Sequence, residues 1–151
     1  MRALTVALPQ TDYLVLRYRP DLHLLVGRWQ RPVSAAEFRQ GYRAMLRLAR
    51  QVNCPYWQLD LRGRGALPDD DTRRWLLQRF LPELALRLPE PVCLAYLLPP
   101  SLLQQMTAPV GSPAHLAFFS EEGPLTAWLL QRQHHSHESL AQVGFTPPPA
   151  A

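Results

Sequence analysis

The sequence predicts a single α/β domain: a mixed, mostly parallel sheet of about five strands, opened by an antiparallel hairpin and covered by about four helices. Three observations carry this expectation. After the first two strands, short apolar runs alternate with segments of helical period, the pattern of a sheet wrapped by helices. The first two runs are separated only by a turn centred on Pro20 and Asp21, which fits a hairpin. Residues 91–98 form an unbroken apolar run that starts at Pro91 and stops before Pro99, as expected of a parallel strand buried on both faces.

Taken in order, residues 1–12 read as a lead-in. Residues 13–19 and 22–29 are the hairpin strands. Ser34 and Glu37 then form a capping box ahead of a strong helix, in which Phe38, Tyr42, Met45, Ala49 and Val52 define a buried face. Asn53 stops that helix and Pro55 bars its continuation. Residues 56–61 are the central strand, running into a glycine-containing loop around Gly63-Arg64-Gly65. The Asp69-Asp70-Asp71-Thr72 segment opens the second helix, where carboxylates suit the unpaired N–H groups. Trp75, Leu76, Phe80 and Leu84 form its inward stripe, and Pro82 predicts a kink or break near Leu81. As a core residue, Trp75 replaced by Ala is expected to cost roughly 3–5 kcal/mol. A short helix over 100–106, a last strand over 115–119 and a final helix over about 124–133, burying Leu125, Trp128 and Leu129, complete the domain. Residues 134–151 are polar and end in prolines, so a mobile tail is expected.

The composition bounds the class. A chain of 151 residues with 47% hydrophobic residues can bury a real core, roughly two-thirds of its unfolded surface, without a staple. Cys54 and Cys93 belong to no metal-spacing motif and read as small buried thiols. The N-terminal apolar run is stopped by Pro9, too short for a secretory signal. No segment approaches the ~18 apolar residues of a membrane span, so a soluble, cytoplasmic protein is the expectation. All 16 basic residues are Arg, with no Lys and no Ile, which points to a coding sequence rich in G and C. The net charge of +4 is therefore a weak argument for a nucleic-acid partner.

The passage from the central strand into the second helix is where an α/β domain usually carries function. Asp60 and Arg62 at the strand's end fit a structural ion pair or loop brace better than a working pair. The loop carrying Arg64 lacks both the spacing and the lysine of a phosphate loop, and Asp69, Asp70 and Asp71 would repel a phosphate. Arg39, Arg43, Arg47 and Arg50 recur at helical spacing on the first helix, next to its buried face. That stripe suits an acidic protein face, nucleic acid or an anionic lipid surface, although a solvated face is the commoner meaning of such a pattern. His134, His135 and His137 sit in a tail expected to be mobile, which holds metals poorly and offers no cysteine partner, so no metal is expected there, and no cofactor motif is present. No nucleophile has a readable base partner, and an enzymatic function has no positive support.

Several motifs occur together: Gly27-Arg28-Trp29 before the Ser34-capped helix, Trp57-x-x-Asp60-x-Arg62, Trp75 in the next helix, and Phe118-Phe119 before a helix holding Trp128-Leu129. Over roughly residues 13–131 the chain resembles STAS-like proteins, relatives of sulfate-transporter and anti-sigma-factor-antagonist domains, and more narrowly their small bacterial members. The resemblance implies a regulatory or binding module rather than an enzyme. In the antagonists a phosphorylatable Ser opens the helix after the central strand. Here that region holds Asp69-Asp70-Asp71-Thr72 and no Ser. Thr72 is the one modifiable hydroxyl, and the adjacent carboxylates oppose its phosphorylation.

The first functional expectation is thus a non-enzymatic protein-interaction module, docking through its first two helices and the loop over 62–71. Its candidate contacts are Arg39, Arg43, Arg47, Arg50, Asp60, Arg62, Arg64, Asp69, Asp70 and Asp71. The alternative is a small-molecule or lipid carrier with an apolar pocket between helices and sheet. The hairpin edge offers a route to a homodimer.

Overall fold

The computed structural model describes residues 11–65, 67–106 and 111–142. The expected fold class is the one observed. Strands β1 (Leu14–Arg19), β2 (Leu24–Trp29), β3 (Tyr56–Asp60), β4 (Cys93–Leu97) and β5 (His115–Phe119) form one sheet in sequential order. Only the β1–β2 pair is antiparallel; β2–β3, β3–β4 and β4–β5 are parallel. Helix α1 (Ala35–Val52) links β2 to β3. One helical run links β3 to β4: α2 (Asp70–Trp75), a π turn (Leu76–Phe80) and α3 (Leu81–Arg87). Helix α4 (Pro100–Leu103) links β4 to β5, and α5 (Glu122–Gln142) closes the order.

β3 lies at the centre of the sheet and every residue of β4 is buried, as the apolar run over 91–98 requires. Successive strand residues face opposite sides. Gly27 and Leu59 face α1, where Met45 packs on them, and Tyr96 shares that side because its hydroxyl meets Tyr42. Phe119 faces the other side and packs its ring on Trp128 of α5. Helix α1 lies close on the sheet because Gly41 has no side chain: a Cβ there would stand 2.4 Å from the Trp29 indole.

The local signals of α1 are realised in detail. Ser34 Oγ accepts from the Glu37 N–H at 3.1 Å, and the Glu37 carboxylate accepts from the Ser34 N–H at 3.0 Å. Asn53 ends the helix in the left-handed region, with φ 53°, its N–H donating to the Ala49 carbonyl. The hydrogen bonds from Arg31, helped by the Ser34 N–H, hold the Glu37 carboxyl at about 2.

Several boundaries differ from the sequence reading. The short helix expected over 100–106 ends at Leu103. The second strand begins at Leu24, not Leu22, because His23 takes a left-handed turn conformation and its Nδ1 bonds the Tyr18 hydroxyl at 2.6 Å. Pro82 produces a π turn rather than a break. Its ring and missing N–H disfavour the ordinary bond to Gln78, and the chain answers with a wider loop in which the Leu81 N–H reaches the Leu76 carbonyl. The final helix starts at Glu122 and runs on through His134 and His135 to Gln142, beyond the point near Gln133 where apolar periodicity fades. Gln133 anchors that helix, donating from Nε2 to the Leu22 carbonyl at 3.0 Å. Of the expected lead-in over 1–12 and tail over 134–151, residues 1–10 and 143–151 lie outside the described residues.

Candidate functional site

Helix α4 has only four residues, because Pro99 and Pro100 open it and the chain turns away at Gln104. So short an element cannot roof β5, whose Leu116 and Phe118 stay only half-buried on the α1 side. The π turn bulges on the other flank. Between them is a cleft of about 520 Å³, at the carboxyl ends of β3 and β4. Its wall is largely apolar, from Leu61, Leu76, Leu77, Met106, Leu116 and Phe118. Asp70 and Arg73, of opposite charge, lie at its exposed rim.

Three buried polar side chains stand in that wall, Tyr42, Tyr96 and Arg64, and the exposed Gln105 joins the rim. The Tyr42 and Tyr96 hydroxyls are 3.1 Å apart, and both residues are buried. Burial pushes both phenols up, Tyr96 well above the ordinary tyrosine value, while the positive charge of Arg64 pulls the other way. Arg64 is only 4% exposed. Its guanidinium lies over the rings of Phe38 at 4.9 Å and Trp29 at 5.6 Å, with no ion pair and no side-chain hydrogen bond to any described residue. Burial lowers its pKa, opposed by the two phenols.

Gly63 explains how the loop delivers Arg64. A Cβ at residue 63 would stand 2.6 Å from the Trp29 carbonyl oxygen, so only glycine lets the loop close onto β2. The Arg64 N–H then donates to the Leu61 carbonyl at 3.1 Å, closing a turn that points the side chain inward.

The Asp60–Arg62 pair serves structure. Asp60 is buried, on the α5 side of the sheet. Burial alone would raise its carboxyl. The side-chain and backbone hydrogen bonds of Arg62, and the charges of Arg62 and Arg28, outweigh that and hold it below the usual carboxylate range. Arg62 bonds Asp60 through Nε at 3.1 Å and Nη2 at 2.9 Å, and reaches Glu122 of α5 at 3.0 Å. The network ties the end of the central strand to the start of the last helix.

The remaining candidates divide. Asp69 caps α2, accepting from the Thr72 N–H at 2.8 Å, and Asp71 pairs with Arg74 at 3.1 Å. Thr72 is buried, so its hydroxyl is not presented at the surface. Arg39 and Arg43 both lie over the Trp75 ring, at 5.5 and 5.7 Å, and Arg43 also reaches Glu83 at 3.6 Å. Arg47 and Arg50 are exposed and form no ion pair with a described residue. Among the described residues no cluster of three or more His, Cys, Asp or Glu could hold a metal, and no helix is long and apolar enough to cross a membrane.

Sequence reasoning grouped Arg64 with the surface charges and missed the tyrosine pair. Tyr96 carried the usable signal: it is the one side chain with a hydroxyl inside the apolar run over 91–98. Trp75 packs against the core, its ring on Phe38, Tyr42 and Phe80, but is only half-buried, with Arg39 and Arg43 lying over it. No protein-family model matches the chain, and neither a curated protein nor a solved structure matches it.

Proposed function

We propose that the chain is a non-enzymatic binding module that holds a small, largely apolar molecule in the cleft between the π turn, Gln105 and Met106 after α4, and β5. The observation that carries this reading is the cleft itself. It lies at the carboxyl end of parallel strands, has the volume usual for small-ligand sites, and sets few polar groups in an apolar wall. A π turn on its flank fits as well, since such turns frequently border functional sites. The resemblance to STAS-like proteins supports a regulatory role, in which ligand occupancy is read by a partner.

The test is saturable binding of a neutral fluorescent probe such as Nile red, together with native mass spectrometry of freshly purified protein. A bound ligand mass, and probe binding lost in Leu116→Trp, which fills the cleft from a half-buried position, are the expected results. A clean apo mass with no saturable probe binding rejects the reading.

A second reading rests on the α1 arginines. Exposed Arg47 and Arg50, continuing the line of Arg39 and Arg43, offer an acidic protein partner four cations on one helix face. Pull-down with the Arg43→Glu, Arg47→Glu double variant tests it, and a partner set unchanged by that reversal rejects it.

A further inference from the structure

We propose that the molecule held in the cleft is an apolar monocarboxylate, its headgroup seated on Arg64 and its hydrocarbon or aryl body along Leu76, Leu77, Leu116 and Phe118. The inference rests on the cleft being a ligand site and adds the chemical class of the ligand.

A guanidinium taken out of water has to be compensated. The two rings beneath Arg64 supply part of that through cation–π attraction. Desolvation of a charge outweighs what two ring faces return, so a deficit remains. No acid among the described residues supplies it. Asp60 is on the opposite side of the sheet and engaged by Arg28 and Arg62. Asp69 caps α2, and Asp70 sits exposed at the rim, forming no ion pair with Arg64. What is missing is an anion that arrives from outside.

The valence of that anion follows from the count of charges. One guanidinium matches one negative charge, and the rim charges of Asp70 and Arg73 cancel. A phosphate monoester brings close to two charges at neutral pH, leaving one uncompensated inside an apolar wall. A carboxylate brings one, and its planar pair of oxygens matches the guanidinium fork. The tyrosines add a donor. Two hydroxyls hold two protons, and only one of them lies between Tyr42 and Tyr96. The other O–H is left to donate to a carboxylate oxygen at the same wall of the cleft.

Competition against Nile red distinguishes headgroup from body. Laurate is compared with dodecanol, and naphthoate with naphthol, on the full chain and on Arg64→Met. Each acid is expected to displace the probe at least about tenfold better than its alcohol, the worth of a charge-assisted bidentate contact. In Arg64→Met that preference collapses while Nile red still binds, showing the cleft intact. The laurate and naphthoate arms tell an acyl chain from an aryl body. Equal displacement by acid and alcohol on the native chain, or a preference that survives Arg64→Met, overturns the carboxylate and leaves the cleft reading standing. Absence of any saturable Nile red binding overturns both. The native-chain comparison decides the matter alone should the variant fail to fold.

Discussion

The Tyr42 hydroxyl lies 3.1 Å from the Tyr96 hydroxyl, joining α1 to the fully buried strand β4 across 54 residues of chain. Each hydroxyl is the other's partner, so removing one strands the other in the interior. Tyr42→Phe or Tyr96→Phe should each cost about 1–2 kcal/mol, the range for leaving a buried polar group unsatisfied. The double variant should cost less than the two together, since it removes the group that would be stranded. Urea denaturation of the four proteins gives the coupling. Strict additivity would mean that the hydroxyls do not depend on each other.

Trp75 sits at the edge of the core rather than inside it. Trp29 and Trp57 are completely buried, whereas Trp75 is only partly buried beneath Arg39 and Arg43. Trp75→Ala should therefore cost about 1–2 kcal/mol, and Trp57→Ala about 3–5 kcal/mol as a full core deletion. Iodide, drawn to the arginines, should quench a fraction of the native emission that disappears in Trp75→Phe. Equal destabilisation by the two alanine variants would return Trp75 to the core.

Much of the fold was legible because its signals are local. Ser34, Glu37 and Asn53 write the ends of α1 within a few residues, and the prolines around residues 91–99 mark β4. Pro82 announced a disturbance, but whether the helix breaks or widens depends on what packs around it, here the buried Leu76, Phe80 and Leu81. The site was less legible because it is assembled from distant segments. Arg64 looks like a loop charge until Gly63 closes the loop on Trp29 and Phe38 comes up beneath it from α1. Nothing in linear spacing joins residues 42, 64 and 96.

Both thiols should be inert in the native state. Cys54 and Cys93 are buried, and burial pushes each thiol up to about 11. Against an ordinary thiol near 8.5, the thiolate fraction at pH 8 falls roughly a hundredfold. Ellman's reagent should react slowly until urea unfolds the chain, and then with both cysteines. The linkage has a definite sign. A thiol raised by folding contributes stability that is complete below the unfolded value and is lost as pH rises toward 11. Replacing Cys54 with Ala should flatten the alkaline limb of the stability curve; an unchanged alkaline limb contradicts the buried-thiol assignment.

The Asp60 network predicts the acid side. Its carboxyl is held below the usual range, so its contribution is present above the unfolded value near 3.9 and is lost as pH falls through the folded one. Asp60→Asn should cost about 1–3 kcal/mol at neutral pH, the worth of hydrogen bonds to a charged group, because the half-exposed Arg28 and Arg62 can turn to water. The gap between native and variant should narrow steadily below about pH 4. A gap that persists unchanged to pH 2 would show that the carboxylate's charge plays no part.

Arg64 sets stability against binding. Without a bound anion, its guanidinium is a largely buried charge that, among the described residues, rests on ring faces without an ion pair. Methionine fills nearly the same stem volume, packs on the same rings and brings no charge. Arg64→Met should therefore raise the stability of the ligand-free chain, by about 1–3 kcal/mol, as replacements of buried charges by apolar residues often do. A residue kept at such a cost is placed for something other than folding. Adding laurate should reverse the order: it should raise the melting temperature of the native chain and leave that of Arg64→Met nearly unmoved. A variant less stable than the native ligand-free chain would make Arg64 a structural cation whose stacking on Phe38 and Trp29 outweighs its desolvation.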